Sequence, residues 1–307
     1  MTIDTEIFNN EEKISFALRA LYRERGFRPY RMRRFEEYEL YMKNKDFLLS
    51  PEVISFTDTN GKLMALKPDV TLSIVRAYRP ASGGVQKLYY DENVYRVSER
   101  TGGFREIRQA GVECLGFRDE ACIRDVLSLA LESLARISGE YRLCVSQLDV
   151  VEALLDALAL SDDARAEALR CMGEKNVHEL RALCESAGAD AAGAEKLCRL
   201  TLCSGAPADA ARELAALGCP EEALNAVERL TEGLPAERVS LDFSILGDMR
   251  YYNAIAFRGY VRGVPSSVLT GGCYDRLLAR MGKPGRAVGF ACCLDRLERL
   301  EEVGENA

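Results

Sequence analysis

One histidine, His178, is the whole imidazole complement of this 307-residue sequence. Serine- and cysteine-protease chemistry needs a histidine base beside its nucleophile. His178 lies in an alanine-rich stretch, far from any glycine turn that would present a nucleophile, and reads as a helix-surface residue. Metal-ligand spacing is also missing. The eleven cysteines include no C-x-x-C pair; the nearest approaches are Cys198 with Cys203 and the adjacent Cys292 and Cys293. A structural zinc site is therefore not expected. No run approaches the ~20 apolar residues that span a bilayer, and the polar, acidic start Met1–Glu11 does not read as a signal peptide. The expectation is a cytoplasmic protein with reduced thiols. Positive charge is in deficit too: 41 Lys and Arg face 48 Asp and Glu, a net charge of -7. That disfavours a broad nucleic-acid-binding surface, because phosphate neutralisation needs clustered cations.

What is present suits a folded chain of about two units, since a single domain takes ~150 residues. Ile14, Ala17, Leu18 and Leu21 recur at helical spacing over 11–25, with Asn10 as the expected N-cap and Gly26 as the stop. Asp58-Thr59-Asn60-Gly61 separates two strand-like runs, 53–57 and 62–66, and Asn-Gly is a hairpin signal. A helix is expected to open near Asp69, after Pro68. Runs 86–97 and 106–116 read as strands around a loop at 99–103, 119–137 as a helix, and 141–148 as a strand. Composition then shifts: residues 151–230 hold 20 alanines in 80 positions, which favours helix. Gly173, Gly188, Gly205 and Gly218 cut that segment into about four or five helices. Strand character returns at 239–245, 254–260 and 267–269, and a last helix is expected from Gly289 to about Glu302. The expected architecture is α+β: an antiparallel sheet with flanking helices, formed by 1–148 and 238–307, with an alanine-rich helical insert at 149–237.

Between the two central strands, arginines alternate with glutamates. Alternate residues of a hairpin share a face, so Arg96, Arg105, Gln109 and Glu113 are expected to converge on one groove. Arginine offers a fork for phosphate or carboxylate, while Gln and Glu fix an amine or an imidazole. A solvated, salt-bridged hairpin is the plainer reading of the same pattern.

Several blocks go further. Leu66-Lys67-Pro68-Asp69-Val70-Thr71 resembles the L-R-P-E/D-x-T segment of histidyl-tRNA synthetases and their paralogues. Val94-Tyr95-Arg96 followed by 104–113 resembles class II synthetase motif 2. The stretch 246–257, with Tyr251-Tyr252, resembles the R-G-L-D-Y-Y block, Gly271-Gly272-Cys273-Tyr274-Asp275 is similar to G-G-R-Y-D, and 287–297 resembles motif 3. The resemblance implies a class II aminoacyl-tRNA synthetase-like fold. It also implies a histidine-like pocket from Asp69, Thr71, Gln109, Glu113, Tyr251, Tyr252 and Tyr274. A strand would turn Tyr251 and Tyr252 to opposite faces, so only one of the two is expected in the pocket. Arg96 and Arg296 match the two arginines that hold ATP phosphates in the synthetases, and with Arg105 they are the candidate phosphate or anion contacts; structural ion pairing is the alternative role. Asp69 is either a ligand or the acid of a helix N-terminus.

The departures from the synthetase pattern set the expected function. Arg33 stands where motif 1 carries a proline, and Ser98 stands at the acidic step of motif 2 unless Glu99 substitutes. Gly247 occupies the place of the arginine that binds the histidine carboxylate, with Arg250 three positions on. Losing that cation costs roughly 10²–10³ in rate, by analogy with a lost oxyanion donor. No anticodon-binding domain is expected after motif 3. This combination resembles the family of ATP phosphoribosyltransferase regulatory subunits. The resemblance implies a non-catalytic partner of the short-form catalytic subunit, in the first step of histidine biosynthesis. It further implies a homodimer within a hetero-octamer and histidine as effector, with no catalytic residue, cofactor, metal, tRNA or membrane involved. The motif 1 side chains Phe35, Tyr38, Leu40 and Tyr41 are expected to supply the homodimer's apolar contact. The alternative is a truncated histidyl-tRNA synthetase-like enzyme that activates an amino acid with ATP.

Overall fold

In this computed structural model, the residues described are 7–48, 52–80, 84–98, 101–247, 249 and 251–297. Helix α1 (Asn10–Glu24) opens on a capping box: Asn9 Oδ1 accepts from the Glu12 amide at 2.8 Å, and the Glu12 carboxylate accepts from the Asn9 amide at 3.1 Å. The cap is thus Asn9, one residue before the expected Asn10, because Glu12 completes the box only from that position. After β1 (Arg28–Pro29) come β2 (Phe35–Glu37), α2 (Tyr38–Lys43), β3 (Ser55–Thr57) and β4 (Leu63–Leu66). Strands β2, β4 and β3 form a small sheet in that order. Its hairpin is the Asn-Gly turn, where Asp58 Oδ1 accepts from the amides of Asn60 and Lys62 at 2.8 Å each.

Helix α3 (Thr71–Ala77) leads to the long hairpin β5 (Gln86–Val97) and β6 (Phe104–Phe117), then α4 (Ala121–Ile137) and β7 (Tyr141–Gln147). Helices α5 (Leu148–Ala157), α6 (Asp162–Gly173), α7 (Val177–Ser186) and α8 (Ala191–Leu202) follow. After the short β8 (Ser204–Gly205) come α9 (Pro207–Ala216) and α10 (Glu221–Thr231). The chain closes with β9 (Val239–Asp242), β10 (Asn253–Val261), β11 (Leu269–Cys273), α11 (Asp275–Arg280) and β12 (Arg286–Cys293). Nine strands form one sheet in the order β1-β5-β6-β12-β11-β10-β7-β9-β8, antiparallel except for the β1–β5 and β7–β9 pairs. One face packs on α1 and α4 through Leu18, Tyr22, Leu127 and Leu134. The opposite face carries α3, the helical segment and the segment 243–252. No helix among the described residues is long and apolar enough to cross a membrane.

Some sequence expectations change here. The helix expected from Gly289 is strand β12, followed by a 3-10 turn at Leu294–Leu297; the continuous apolar run reads equally as a buried strand, and pairing with β6 and β11 decides it. Expected residues beyond 297 lie outside the described ones. The alanine-rich segment holds six helices between 148 and 231. The extra break falls at Leu158–Leu160, where Ala159 takes a φ of 48° and Ser161 caps α6, so no glycine announces it. Gly271 and Gly272 lie within β11. Nine cysteines are free thiols, and Cys114 on β6 faces Cys122 on α4 with Cα atoms 7.6 Å apart, wider than a disulfide spans. His178 lies exposed on α7, as expected.

Candidate functional site

The floor of the site is a row of missing side chains. Glu113 on β6 pairs with Gly289 on β12, Gly289 with Gly272 on β11, and Gly272 with Ala256 on β10. Paired residues of antiparallel strands share a face, so this row lies on one face of the sheet, and its β6–β12 end is open as a hollow. The Glu113 carboxylate lies in it. A Cβ on Gly289 would come within 1.8 Å of Glu113 Oε2, so no side chain fits at that position. Gly272 is likewise covered by the Tyr252 ring, and neither it nor Gly271 lines the cavity itself.

The hollow is a cavity of about 200 Å³, below the ~300–1,000 Å³ class of drug-sized sites. The structure brings Asp69, Thr71, Gln109, Glu113, Tyr251, Tyr252 and Tyr274 together around it, with Arg96 and Arg296 at the same cavity. Arg105 is not among them. It pairs with Arg96 across the hairpin, but it is exposed beyond the rim, near the tip. The expected groove therefore gathers Arg96, Gln109 and Glu113 without Arg105.

Glu113 accepts hydrogen bonds from Thr71 Oγ1 at 2.5 Å and from the Tyr274 hydroxyl at 2.6 Å. It is buried, and burial pushes its carboxyl up to about 8 against the pull of those two hydrogen bonds, with the Asp69 carboxylate adding to the rise. Asp69 is buried as well, and burial raises its carboxyl. Its Oδ1 accepts from the Leu72 amide at 2.7 Å, so it both caps the start of α3 and faces the cavity. The cations nearby are tied to backbone: Arg96 Nε donates to the Pro68 carbonyl at 3.0 Å, and Arg296 donates to the Ser267 carbonyl.

Both Tyr251 and Tyr252 line the cavity, against the expectation that only one would. The reason is local. Strand β10 begins only at Asn253, so the alternation rule does not reach the tyrosine pair. Their rings meet edge-on with centroids 4.7 Å apart, and Tyr251 stands 5.9 Å from Tyr274. Gly247 lines a different cavity, with Leu246, Met249 and Arg276. Its φ is +61°, and a Cβ there would meet Tyr252 Cδ2 at 2.7 Å. Arg250 and Glu99, the two residues considered as substitutes for missing synthetase groups, lie outside the described residues. Sequence reasoning missed Tyr90, Ile107, Thr270 and Cys293 as lining residues. Strand parity carried a signal for two of them: Tyr90 shares the face of Arg96 on β5, and Ile107 that of Gln109 on β6.

The family described as histidyl-tRNA synthetase matches residues 3–297. An ATP phosphoribosyltransferase regulatory subunit of Anaeromyxobacter sp. (strain Fw109-5) is 33% identical over 92% of this chain and 86% of its own length. One of Alkaliphilus metalliredigens is 27% identical over 88% and 71%. The share of a relative's length that is spanned ranges from 65% to 87% among the most similar regulatory subunits. Among solved structures, an ATP phosphoribosyltransferase regulatory subunit/histidyl-tRNA synthetase from Bacillus halodurans C superposes with a TM-score of 0.82 at 25% identity, covering 97% of this chain and 82% of that one. A histidine--tRNA ligase subunit from Alicyclobacillus acidocaldarius gives 0.77 at 27% identity, covering 99% and 96%. An ATP phosphoribosyl transferase (HisG:HisZ) complex from Thermotoga maritima shares the fold, with a TM-score of 0.72 at 21% identity over 94% and 98%.

Proposed function

The chain belongs to the histidyl-tRNA synthetase family, among the relatives known as ATP phosphoribosyltransferase regulatory subunits, and from that membership we propose that it is a non-catalytic subunit regulating the short-form catalytic chain. Its cavity is the effector site, for an amino acid of histidine's size. The observation that carries this reading is the pair of buried carboxylates facing the cavity, with the two arginines at its lining, Arg96 and Arg296, each donating to a backbone carbonyl. A carboxylate pair suits the ammonium of an amino acid, with Gln109 and the tyrosines left for an imidazole. Activation of that amino acid would need a cation for the developing acyl phosphate.

The proposal includes the division into a core of 1–148 and 238–307 and a helical insert of 149–237, since β7 and β9, which flank the helices, are parallel neighbours. It also includes a homodimer inside a larger hetero-oligomer. Phe35 and Phe56 are exposed, with rings 5.2 Å apart, and give an apolar patch next to motif 1. Tyr41 belongs to the chain's own core, in contrast to the contact role expected for it. Co-expression with a short-form catalytic subunit tests the assignment: co-purification and a rise in phosphoribosyl transfer are expected. A chain that neither binds nor stimulates that subunit would overturn it. The likeness to the histidine--tRNA ligase subunit favours amino-acid activation as a second reading. Exchange of labelled pyrophosphate into ATP, dependent on histidine, would establish that reading instead.

A further inference from the structure

Glu113 differs from an ordinary buried carboxylate in the kind of partners it has. Thr71 and Tyr274 each offer a hydroxyl, and a hydroxyl both donates and accepts. Two hydroxyls therefore satisfy an ionised Glu113, which accepts from both. They equally satisfy a protonated one, which donates to one and accepts from the other. Among the described residues no lysine or arginine bonds to the carboxylate, and a second buried carboxylate, Asp69, shares the cavity. Two buried carboxylates facing one cavity disfavour each other's ionisation, and among the described residues the cation beside them, Arg96, acts on Asp69.

We propose that the cavity takes up its amino-acid ligand by exchanging a proton for it: Glu113 holds a proton in the empty cavity and releases it to solvent as the ligand's ammonium group moves against the carboxylate. The O–H bond of Glu113 breaks, the proton passes to water or buffer, and an N–H···O bond from the ammonium takes its place. At Glu113 itself the charge is balanced before and after, a proton giving way to an ammonium, while the ligand's own carboxylate brings one negative charge into a cavity that Arg96 and Arg296 also line. This inference rests on the effector reading above and states how that site is regulated: capture weakens as the medium becomes acidic.

The groups facing Glu113 bear this out. From the α3 side come Asp69 and Thr71; from β5, Tyr90 and, beside Asp69, Arg96; from the segment before β10, Tyr251 and Tyr252; and from the end of β11, Tyr274. Arg258 on β10 acts on Tyr252 alone among these. Burial holds all four tyrosine hydroxyls above their ordinary range, so they stay neutral throughout. The direction for Glu113 itself, upward on burial, agrees with the geometry.

Isothermal titration of L-histidine into the full-length chain at pH 7.5, in phosphate and in Tris, reads the exchange, because the two buffers differ in ionisation heat. Between about half and one proton should leave per histidine bound, and affinity should rise by up to about tenfold per pH unit from pH 6 toward pH 8. Binding heat that is the same in both buffers would overturn the proposal while leaving the effector site in place. Absence of any heat is the separate failure, of the effector reading, and takes the exchange with it. A protonated-carboxyl infrared band in the ligand-free chain at neutral pH, lost in Glu113→Gln, is the second expected result. A spectrum without that band would overturn the proposal even where histidine binds.

Discussion

The outer edge of β5 holds a partly buried glutamate and the floor of the cavity a fully buried one, and the two are served differently. Glu92 accepts from Lys67 Nζ, on a lysine that is almost wholly buried, and from the Met32 amide at 3.1 Å. Both partners only donate, so they match a carboxylate and nothing else. Glu113, further along the same hairpin, has two hydroxyls instead. Charge at the edge is neutralised by a lysine of the same fold, whereas Glu113 has partners that suit either protonation state. A buried ion pair belongs to stability, and a buried carboxylate with adaptable partners belongs to binding.

That contrast is sharpest under mutation. Lys67→Met should leave the partly buried Glu92 without its counter-charge, at a cost near the lower end of the about 3–5 kcal/mol of a fully buried pair, because solvent reaches Glu92. Urea unfolding of the isolated chain checks it; a loss below about 1 kcal/mol would put Glu92 on the same footing as Glu113. The cavity mutant should behave in the opposite sense. Glu113→Ala removes a charged hydrogen-bond partner at a cost of about 1.5–3 kcal/mol in ligand binding, or roughly ten- to a hundredfold in affinity. Histidine inhibition curves for complexes made with the same catalytic chain should separate by that factor while assembly is unchanged. Superimposable curves would move the effector site elsewhere.

A third expectation uses pH. The carboxyl of Glu113 titrates at about 8 in the folded chain, against an ordinary value of 4.5. The folded state thus holds more protons than the unfolded one between those values. The stability this contributes is complete below about pH 4.5 and is lost as pH rises through about 8. Asp69 shifts in the same direction. Thermal melts of the wild type should fall across that window, and those of Glu113→Gln should fall less. Parallel profiles would show that Glu113 is ionised at neutral pH. The smallest effect is expected at Gly247. An arginine there would adopt a left-handed backbone at a cost of about 1–2 kcal/mol, and its Cβ would press on Tyr252. Gly247→Arg should therefore lose a little stability and gain no pyrophosphate exchange. Recovery of exchange would mean that the segment refolds around the new cation.

Much of this site was readable in the chain because strand alternation is local. Gln109 and Glu113 share a face whenever β6 forms, and the Leu66–Thr71 block carries Asp69 and Thr71 as a unit. The errors fell where a local rule was stretched past its element. Tyr251 and Tyr252 were assigned to opposite faces by a strand that starts one residue later. Arg105 has the right parity for the groove but sits too near the hairpin tip to reach it. The Gly289 run was given to a helix, since an apolar stretch of that length has no period of its own until it finds neighbours.

The order of blocks along the chain, the helical character of 151–230 and the shared face of Gln109 and Glu113 were determined by the sequence alone, since propensity and alternation act over a few residues. Which carboxylate is neutralised and which stays open was decided only by the tertiary structure. Lys67 lies 25 residues from Glu92, and Tyr274 lies 161 residues from Glu113. Whether a glutamate meets an ammonium or a hydroxyl depends on strands brought side by side from distant parts of the chain, and burial then multiplies the consequence, because in a dry interior the partner sets the charge.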